Sequence, residues 1–118
     1  MKTQNNRKAG FTLVEIMIVV AIIGLLAAIA IPNFVKARAT AQKNACIANL
    51  KQIDGAVQQW ALEQKKVATD TYALTDTTLL SYMKGSLLPG CPGGGTYSAG
   101  TTVSGAPTCS QSGVGHTL

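Results

Sequence analysis

Apolar residues follow two different patterns along this chain, and together they predict one long N-terminal helix. From residue 11 to residue 31 almost every position is apolar, and Glu15 is the only charged side chain. At about 1.5 Å per residue, a helix of this length crosses the hydrocarbon core of a bilayer. We therefore predict a membrane-spanning helix over residues 11–31, with Gly24 and the following Pro32 as the positions where it is irregular.

The second pattern begins after Pro32 and places an apolar residue at every third or fourth position. It predicts an amphipathic continuation of the helix over residues 32–66. The apolar stripe consists of Cys46, Leu50, Ile53, Val57 and Trp60. We expect this stripe to pack against the C-terminal part of the same chain, rather than against a separate coiled-coil partner.

Residues 67–118 are rich in turn signals and predict a small globular α+β region. Asp76 is placed to cap a short helix that ends at Met83, with Gly85 as its stop. Short strands are expected at residues 96–98, 101–103 and 107–110. Because strands this short are not stable alone, they need the stripe of the long helix behind them. The predicted fold class is thus α+β, a long N-terminal helix packed by a small antiparallel sheet.

The first ten residues are polar and basic, and we interpret residues 1–10 as a leader peptide. By the positive-inside rule, its cations mark the cytoplasmic side of the membrane. An alternative is a secretory signal peptide cut after Ala30. Two features argue against it, because the apolar run exceeds the usual length of about 7–15 residues and contains Glu15.

Charge and motif content argue against an enzyme or a nucleic-acid-binding protein. Three of the ten Lys and Arg residues lie in the leader. The remaining seven are balanced by five Asp and Glu residues, so the chain without the leader has a formal charge of +2. This excess is too small to indicate nucleic acid as a partner. The chain contains no nucleophile elbow and no phosphate-binding loop. We predict no catalytic residues and no cofactor.

Three cysteines and one histidine are the remaining candidates for chemistry. Cys91 and Cys109 flank a segment rich in Gly, Thr and Ser, and outside the cytoplasm this predicts a disulfide. Such a loop closure stabilises a fold by about 3 kcal/mol in the chain-entropy model. Cys46 is expected to be a small core residue. No metal site is predicted, because the chain has no C-x-x-C motif and His116, its only histidine, is expected to be exposed.

Glu15 needs a partner, because a lone carboxylate in hydrocarbon costs on the order of 2.5 kcal/mol or more. No Lys, Arg or His lies elsewhere in the predicted span. A cut between Gly10 and Phe11 would create an α-amine four residues before Glu15, largely protonated at neutral pH. That amine could pair with Glu15 of its own chain or of a neighbour, and the second pairing would make Glu15 an assembly signal.

The run Gly10-Phe11-Thr12-Leu13-Val14-Glu15, behind a short basic leader and ahead of an apolar helix, resembles the signal of type IV pilins and type II secretion pseudopilins. The resemblance implies cleavage after Gly10 by a prepilin peptidase and N-methylation of Phe11. It also implies that Glu15 registers subunits in a helical homo-oligomeric filament, and that Pro32 is a flexible joint. It further implies that the precursor is a single-pass inner-membrane protein with a periplasmic domain. An assembly platform with its ATPase would then extract this precursor from the membrane.

The branch of the family stays open at this point. Size and the stretch of residues 46–60 resemble the major pseudopilins, but residues 85–118 contain no Asp or Glu for the calcium-binding loop typical of them. The Cys91–Cys109 pair resembles the disulfide loop of type IV pilins. Two other functions remain as alternatives: a competence-type minor pilin that captures DNA, with Lys65, Lys66 and Lys84 as its contacts, and a membrane-anchored domain that never polymerises.

Overall fold

The computed structural model describes residues 10–118, so the predicted leader lies almost entirely outside the described residues. The chain divides into two compact units, Met1–Lys36 and Ala37–Leu118. Its regular elements are, in chain order, helix α1 (Leu13–Glu63), helix α2 (Thr77–Leu80), strand β1 (Tyr97–Ser98) and strand β2 (Thr108–Cys109), with 3-10 turns at Lys84–Ser86 and Ser112–Val114. A long N-terminal helix with a small antiparallel sheet confirms the predicted α+β fold class.

The described part of the first unit is an apolar helix with almost no packing partner. Every described residue up to Lys36 is exposed, except the half-buried Ala27. Among the described helices, α1 is the one long and apolar enough to cross a membrane. It continues through Gly24 and Pro32 without a break in its helical assignment, so the predicted joint remains a prediction.

In the second unit, the predicted apolar stripe is buried along its whole length, which confirms the helical period. Its C-terminal half packs against Tyr72, Leu79, Met83 and Val103, all of which come from the C-terminal part of the chain. Its N-terminal half, Cys46 and Leu50, forms a second cluster with Cys91 and Cys109. As expected, the stripe is covered by its own chain.

Helix α1 ends at Glu63, three residues earlier than predicted. Lys65 has a left-handed backbone (φ 53°), and the Lys66 amide donates to the carbonyl of Ala61 at 2.8 Å. This is the pattern of a Schellman cap, which closes the helix with a residue in the left-handed region, usually glycine. Because the cap residue is a lysine and not a glycine, no local signal marked this end of the helix.

The sheet contains two strands rather than the three that we predicted. Strand β1 pairs antiparallel with β2, in the register Tyr97↔Cys109 and Ser98↔Thr108. The predicted strand at residues 101–103 is not formed, because the Val103 amide donates to the carbonyl of Asp70 at 2.8 Å. The Val103 side chain is buried in the core, so tertiary packing overrides the β-propensity of this segment.

Helix α2 is capped by Asp76 as predicted, but it ends at Leu80 rather than at Met83. The Asp76 carboxylate accepts from the Thr78 amide at 2.9 Å and from the Thr78 hydroxyl at 2.6 Å. These two hydrogen bonds hold the pKa of Asp76 below its ordinary value. The Thr78 hydroxyl in turn accepts from the indole nitrogen of Trp60 at 3.0 Å, which joins α2 to α1.

Thr78→Val should lower the free energy of unfolding by about 1–3 kcal/mol, because it leaves the buried indole N–H of Trp60 without an acceptor. Urea unfolding of the full chain in detergent, followed by the fluorescence of Trp60, measures this loss. The matched control is Thr77→Val, since Thr77 is exposed in the same helix. Equal losses in both variants would show that the Trp60 hydrogen bond contributes nothing specific.

Candidate functional sites

The first site is the start of α1, where Thr12 and Glu15 hydrogen bond to each other. The Thr12 amide donates to the Glu15 carboxylate at 3.3 Å, and the Glu15 amide donates to the Thr12 hydroxyl at 3.2 Å. Because Thr12 directly precedes the first helical residue, the pair forms a capping box. The T-x-x-E signature of this box is present at residues 12–15, although the sequence prediction for Glu15 concerned only pairing with the predicted amine of Phe11.

The capping box leaves the Glu15 carboxylate able to bind a cation. An ionised carboxylate has about four lone-pair sites, and the Thr12 amide uses one of them. The carboxylate is exposed and lies at the positive end of the helix dipole. Phe11, which would carry the predicted new amine, is also exposed. Cleavage after Gly10, methylation of Phe11 and the assembly role of Glu15 remain predictions.

The second site lies in the Ala37–Leu118 unit and brings together all three cysteines and the only histidine. Cys46 comes from α1, Cys91 from the loop before β1, Cys109 from β2, and His116 from the end of the chain. The Cys91 sulfur lies 3.6 Å from that of Cys46, 3.5 Å from that of Cys109 and 3.7 Å from Nδ1 of His116. All four atoms lie within 4.8 Å of one another. We call these four residues the thiol–imidazole cluster.

The thiols of the cluster differ in their tendency to ionise. Burial raises the pKa of Cys46 to about 12, and the thiols of Cys109 and Cys91 add to this effect. Burial also opposes ionisation of Cys91, but the backbone amides of Gly93 and Gly95, with His116 and Cys109, outweigh it and lower its pKa to about 6. Cys91 is therefore the thiol that the surrounding structure prepares best to carry a negative charge.

Glycines allow the loop after Cys91 to pack closely against the cluster. A Cβ at Gly93 would lie 3.0 Å from Cε1 of His116. A Cβ at Gly95 would lie 3.0 Å from the Cys109 sulfur and 2.8 Å from the Ser110 hydroxyl. The backbone of this glycine run therefore forms one wall of the thiol–imidazole cluster.

Two expectations from the sequence need correction here. His116 is 5% exposed, so the prediction that it is exposed was wrong. Cys46 is buried as predicted, but it is also part of the same site as the other two cysteines. The sequence does not indicate this arrangement, because the four residues come from segments far apart in the chain and form no C-x-x-C motif.

Cys91 and Cys109 lie side by side, as the disulfide prediction requires, but both are free thiols in this structure. Their sulfurs are 3.5 Å apart, compared with about 2.05 Å in a disulfide. Cys46 and His116 share the same small volume, so the four residues could also hold a metal ion.

In the described part of the chain, the three lysines of the DNA-capture alternative do not form one basic surface with aromatic side chains. Lys66 places its ammonium 5.9 Å from the centroid of the Trp60 ring, a distance typical of a cation–π contact. Lys65 forms the left-handed cap of α1, and Lys84 lies in a separate 3-10 turn. No observation on the described residues favours nucleic-acid binding.

Comparison with known proteins finds a matching family model and several related proteins. Residues 5–31 match the family described as prokaryotic N-terminal methylation motif. The chain is 50% identical over 62 residues to the type IV major pilin protein PilA of Myxococcus xanthus, which covers 52% of this chain and 28% of that protein. It is 35% identical over 99 residues to the type IV major fimbrial protein FimA of Dichelobacter nodosus. This alignment covers 84% of this chain and 55% of that protein.

A third relative belongs to the secretion branch. The chain is 32% identical over 68 residues to type II secretion system core protein G of Klebsiella pneumoniae, which covers 58% of this chain and 49% of that protein. The chain thus spans about half, or less, of the length of these relatives. No solved structure matches it significantly. The motif and the relatives support the family that the sequence predicted, the type IV pilins and type II secretion pseudopilins, and residues 5–31 of this chain carry the N-terminal methylation motif.

Proposed function

We propose that this protein is the structural subunit of a helical filament of the pilus or secretion-pseudopilus type. The observation that carries the proposal is the apolar surface of α1 before Lys36, where large side chains on every face are exposed. A surface of this kind is stable only against lipid or against other apolar chains. A filament subunit uses both environments in turn, first the bilayer and then the neighbouring subunits.

The first step of the proposed pathway is removal of residues 1–10 by a prepilin peptidase, followed by methylation of the new amine of Phe11. Before this step the chain is a single-pass inner-membrane protein whose Ala37–Leu118 unit lies in the periplasm. The basic leader on the cytoplasmic side supports this orientation. The exposed, unpacked position of Gly10 and Phe11 supports access by a peptidase.

In the second step, an assembly platform with its ATPase extracts the subunit, and Glu15 pairs with the Phe11 amine of a neighbour. The apolar helices then bury one another at about 25 cal/mol per Å² of apolar surface. Identical contacts repeated by a rotation that does not close produce a helical filament. The names of the relatives, a major pilin, a major fimbrial protein and a secretion core protein, support this role.

Intact-mass spectrometry of the protein purified from its native membrane tests the first step. We expect a polypeptide that begins at Phe11 and carries the added mass of one methyl group. Gly10→Val places a branched side chain at the cleavage position and should leave the chain uncut and unmethylated. A native polypeptide that still begins at Met1, or that is trimmed after Ala30, would contradict the proposed function.

A further inference from the structure

We propose that Cys46, Cys91, Cys109 and His116 bind one structural Zn²⁺ ion, which connects α1 to the C-terminal part of the chain. The site uses every cysteine and every histidine of the sequence. Residues 5–31, which match the N-terminal methylation motif, contain none of its ligands.

The distances within the cluster fit a single tetrahedral ion. With Zn–S near 2.3 Å and Zn–N near 2.0–2.1 Å, tetrahedral geometry separates the ligand atoms by about 3.6–3.8 Å. The Cys91 sulfur lies at 3.6, 3.5 and 3.7 Å from the other three ligand atoms. These three separations match the spacing that a zinc ion would impose, and all four atoms lie within 4.8 Å of one another.

The ligand types select zinc. Three thiolates and one imidazole form the Cys₃His set of structural zinc sites, in which all four positions are occupied by protein. Hard cations such as Mg²⁺ and Ca²⁺ prefer oxygen ligands, and none of the four ligand atoms is oxygen. All four residues are at most 9% exposed, so the site is closed to substrate, as a structural site should be.

Neighbouring polar groups are placed to stabilise thiolates. The Gln111 amide donates to the sulfur of Cys109 at 3.5 Å, and the backbone of Gly93 lies beside the sulfur of Cys91, which a Cβ added at Gly93 would meet at 3.7 Å. Such outer hydrogen bonds orient metal ligands and tune their affinity.

Cys46 has a polar neighbour in Tyr97, which packs against the buried group of Cys46, Leu50, Cys91 and Cys109. The side-chain amide of Asn49 donates to the Tyr97 hydroxyl at 3.1 Å, which holds this hydroxyl in place.

A metal would also explain how so small a unit holds its shape. Each strand of the sheet has two residues, and α2 has four. Small domains with little core commonly depend on disulfides or structural metals. One ion at the cluster would connect the helix, the loop, the strand and the C-terminal segment, whereas a Cys91–Cys109 disulfide would connect only two of them.

Elemental analysis of the full chain, purified in detergent without chelators, is the direct test. We expect about one zinc per chain, as in a four-ligand structural site. After zinc is removed by a chelator, added Co²⁺ should produce the thiolate charge-transfer absorption and the strong visible bands of a tetrahedral site. The three thiols should resist alkylation while zinc is bound and react after chelation.

Variants separate ligation from loss of folding. His116→Ala and Cys46→Ser should abolish zinc retention during dialysis, whereas His116→Cys supplies a fourth thiolate and should restore it. Tyr97→Phe removes only a neighbouring hydroxyl and should retain the ion with affinity reduced by about 10-fold. Leu50→Ala, a core change beside the cluster, serves as the stability control and should keep full zinc stoichiometry.

Three results would overturn the proposal. One is a purified chain with a Cys91–Cys109 disulfide and no metal. The second is zinc whose amount is unaffected by both His116→Ala and Cys46→Ser, which would make it an adventitious ion only. The third is a site filled by iron in preference to zinc when both are supplied.

Discussion

Glu15→Gln should abolish filament formation while the start of α1 remains intact. Glutamine can replace glutamate in a capping box, so the reciprocal hydrogen bonds with Thr12 persist. Its neutral amide, however, cannot neutralise the protonated amine of Phe11 on a neighbouring subunit. Electron microscopy of sheared surface filaments, with immunoblotting of membrane and filament fractions, should detect the subunit in the membrane only.

Thr12→Ala is the matched control, because it breaks the cap and keeps the charge. Loss of an N-cap side chain costs about 0.5–2 kcal/mol, which a long helix in a bilayer tolerates. We expect this variant to assemble, whereas Glu15→Ala, which loses both cap and charge, should fail like Glu15→Gln. If instead Glu15→Gln assembles normally and Thr12→Ala does not, Glu15 acts as a cap and the inter-subunit pairing is wrong. Normal behaviour of Glu15→Ala would support the alternative of a membrane-anchored domain that never polymerises.

Leu50→Ala should lower the free energy of unfolding by about 2–5 kcal/mol, because it removes a fully buried side chain from a small core. Leu50 lies on α1 within the cluster of buried residues that includes Cys46, Cys91 and Cys109. The core around it has few side chains that can move into the resulting cavity. Urea unfolding of the full chain in detergent, followed by circular dichroism, measures the change.

The control for this prediction is Leu62→Ala in the same helix, where the leucine is 84% exposed. The two substitutions have the same helix propensity change and differ only in burial. We expect the free energy of unfolding of the Leu62 variant to lie within about 0.5 kcal/mol of the wild-type value. Similar losses in both variants would show that the apolar stripe of α1 does not form the core that stabilises this unit.

Local features of the sequence predicted the helical part of the fold well. The spacing of the stripe from Cys46 to Trp60 identified the buried face of α1, and Asp76 identified the start of α2. Both signals depend on interactions within a few residues along the chain, and such interactions do not need tertiary information. The end of α1 was missed because its left-handed cap is Lys65, a residue type that rarely adopts this conformation.

The errors in the C-terminal region arose because the contacts there join residues that are far apart in the sequence. Residues 101–103 have β-branched composition, but the backbone of Val103 is bonded to Asp70, which is distant in sequence. His116 was expected at the surface because it lies near the end of the chain, yet three other segments enclose it. Neither contact leaves a local pattern from which it could have been predicted.

By itself the sequence determined the membrane-length apolar helix, its single carboxylate, the T-x-x-E capping signature and the motif at its start, and hence the family resemblance, since these are properties of consecutive residues. Only the tertiary structure decided that Cys46, Cys91, Cys109 and His116 come together in one buried cluster. The physical reason is that ligand geometry depends on the packing of α1 against the loop, β2 and the C-terminal segment. That packing joins residues up to 70 positions apart, beyond the reach of any local pattern.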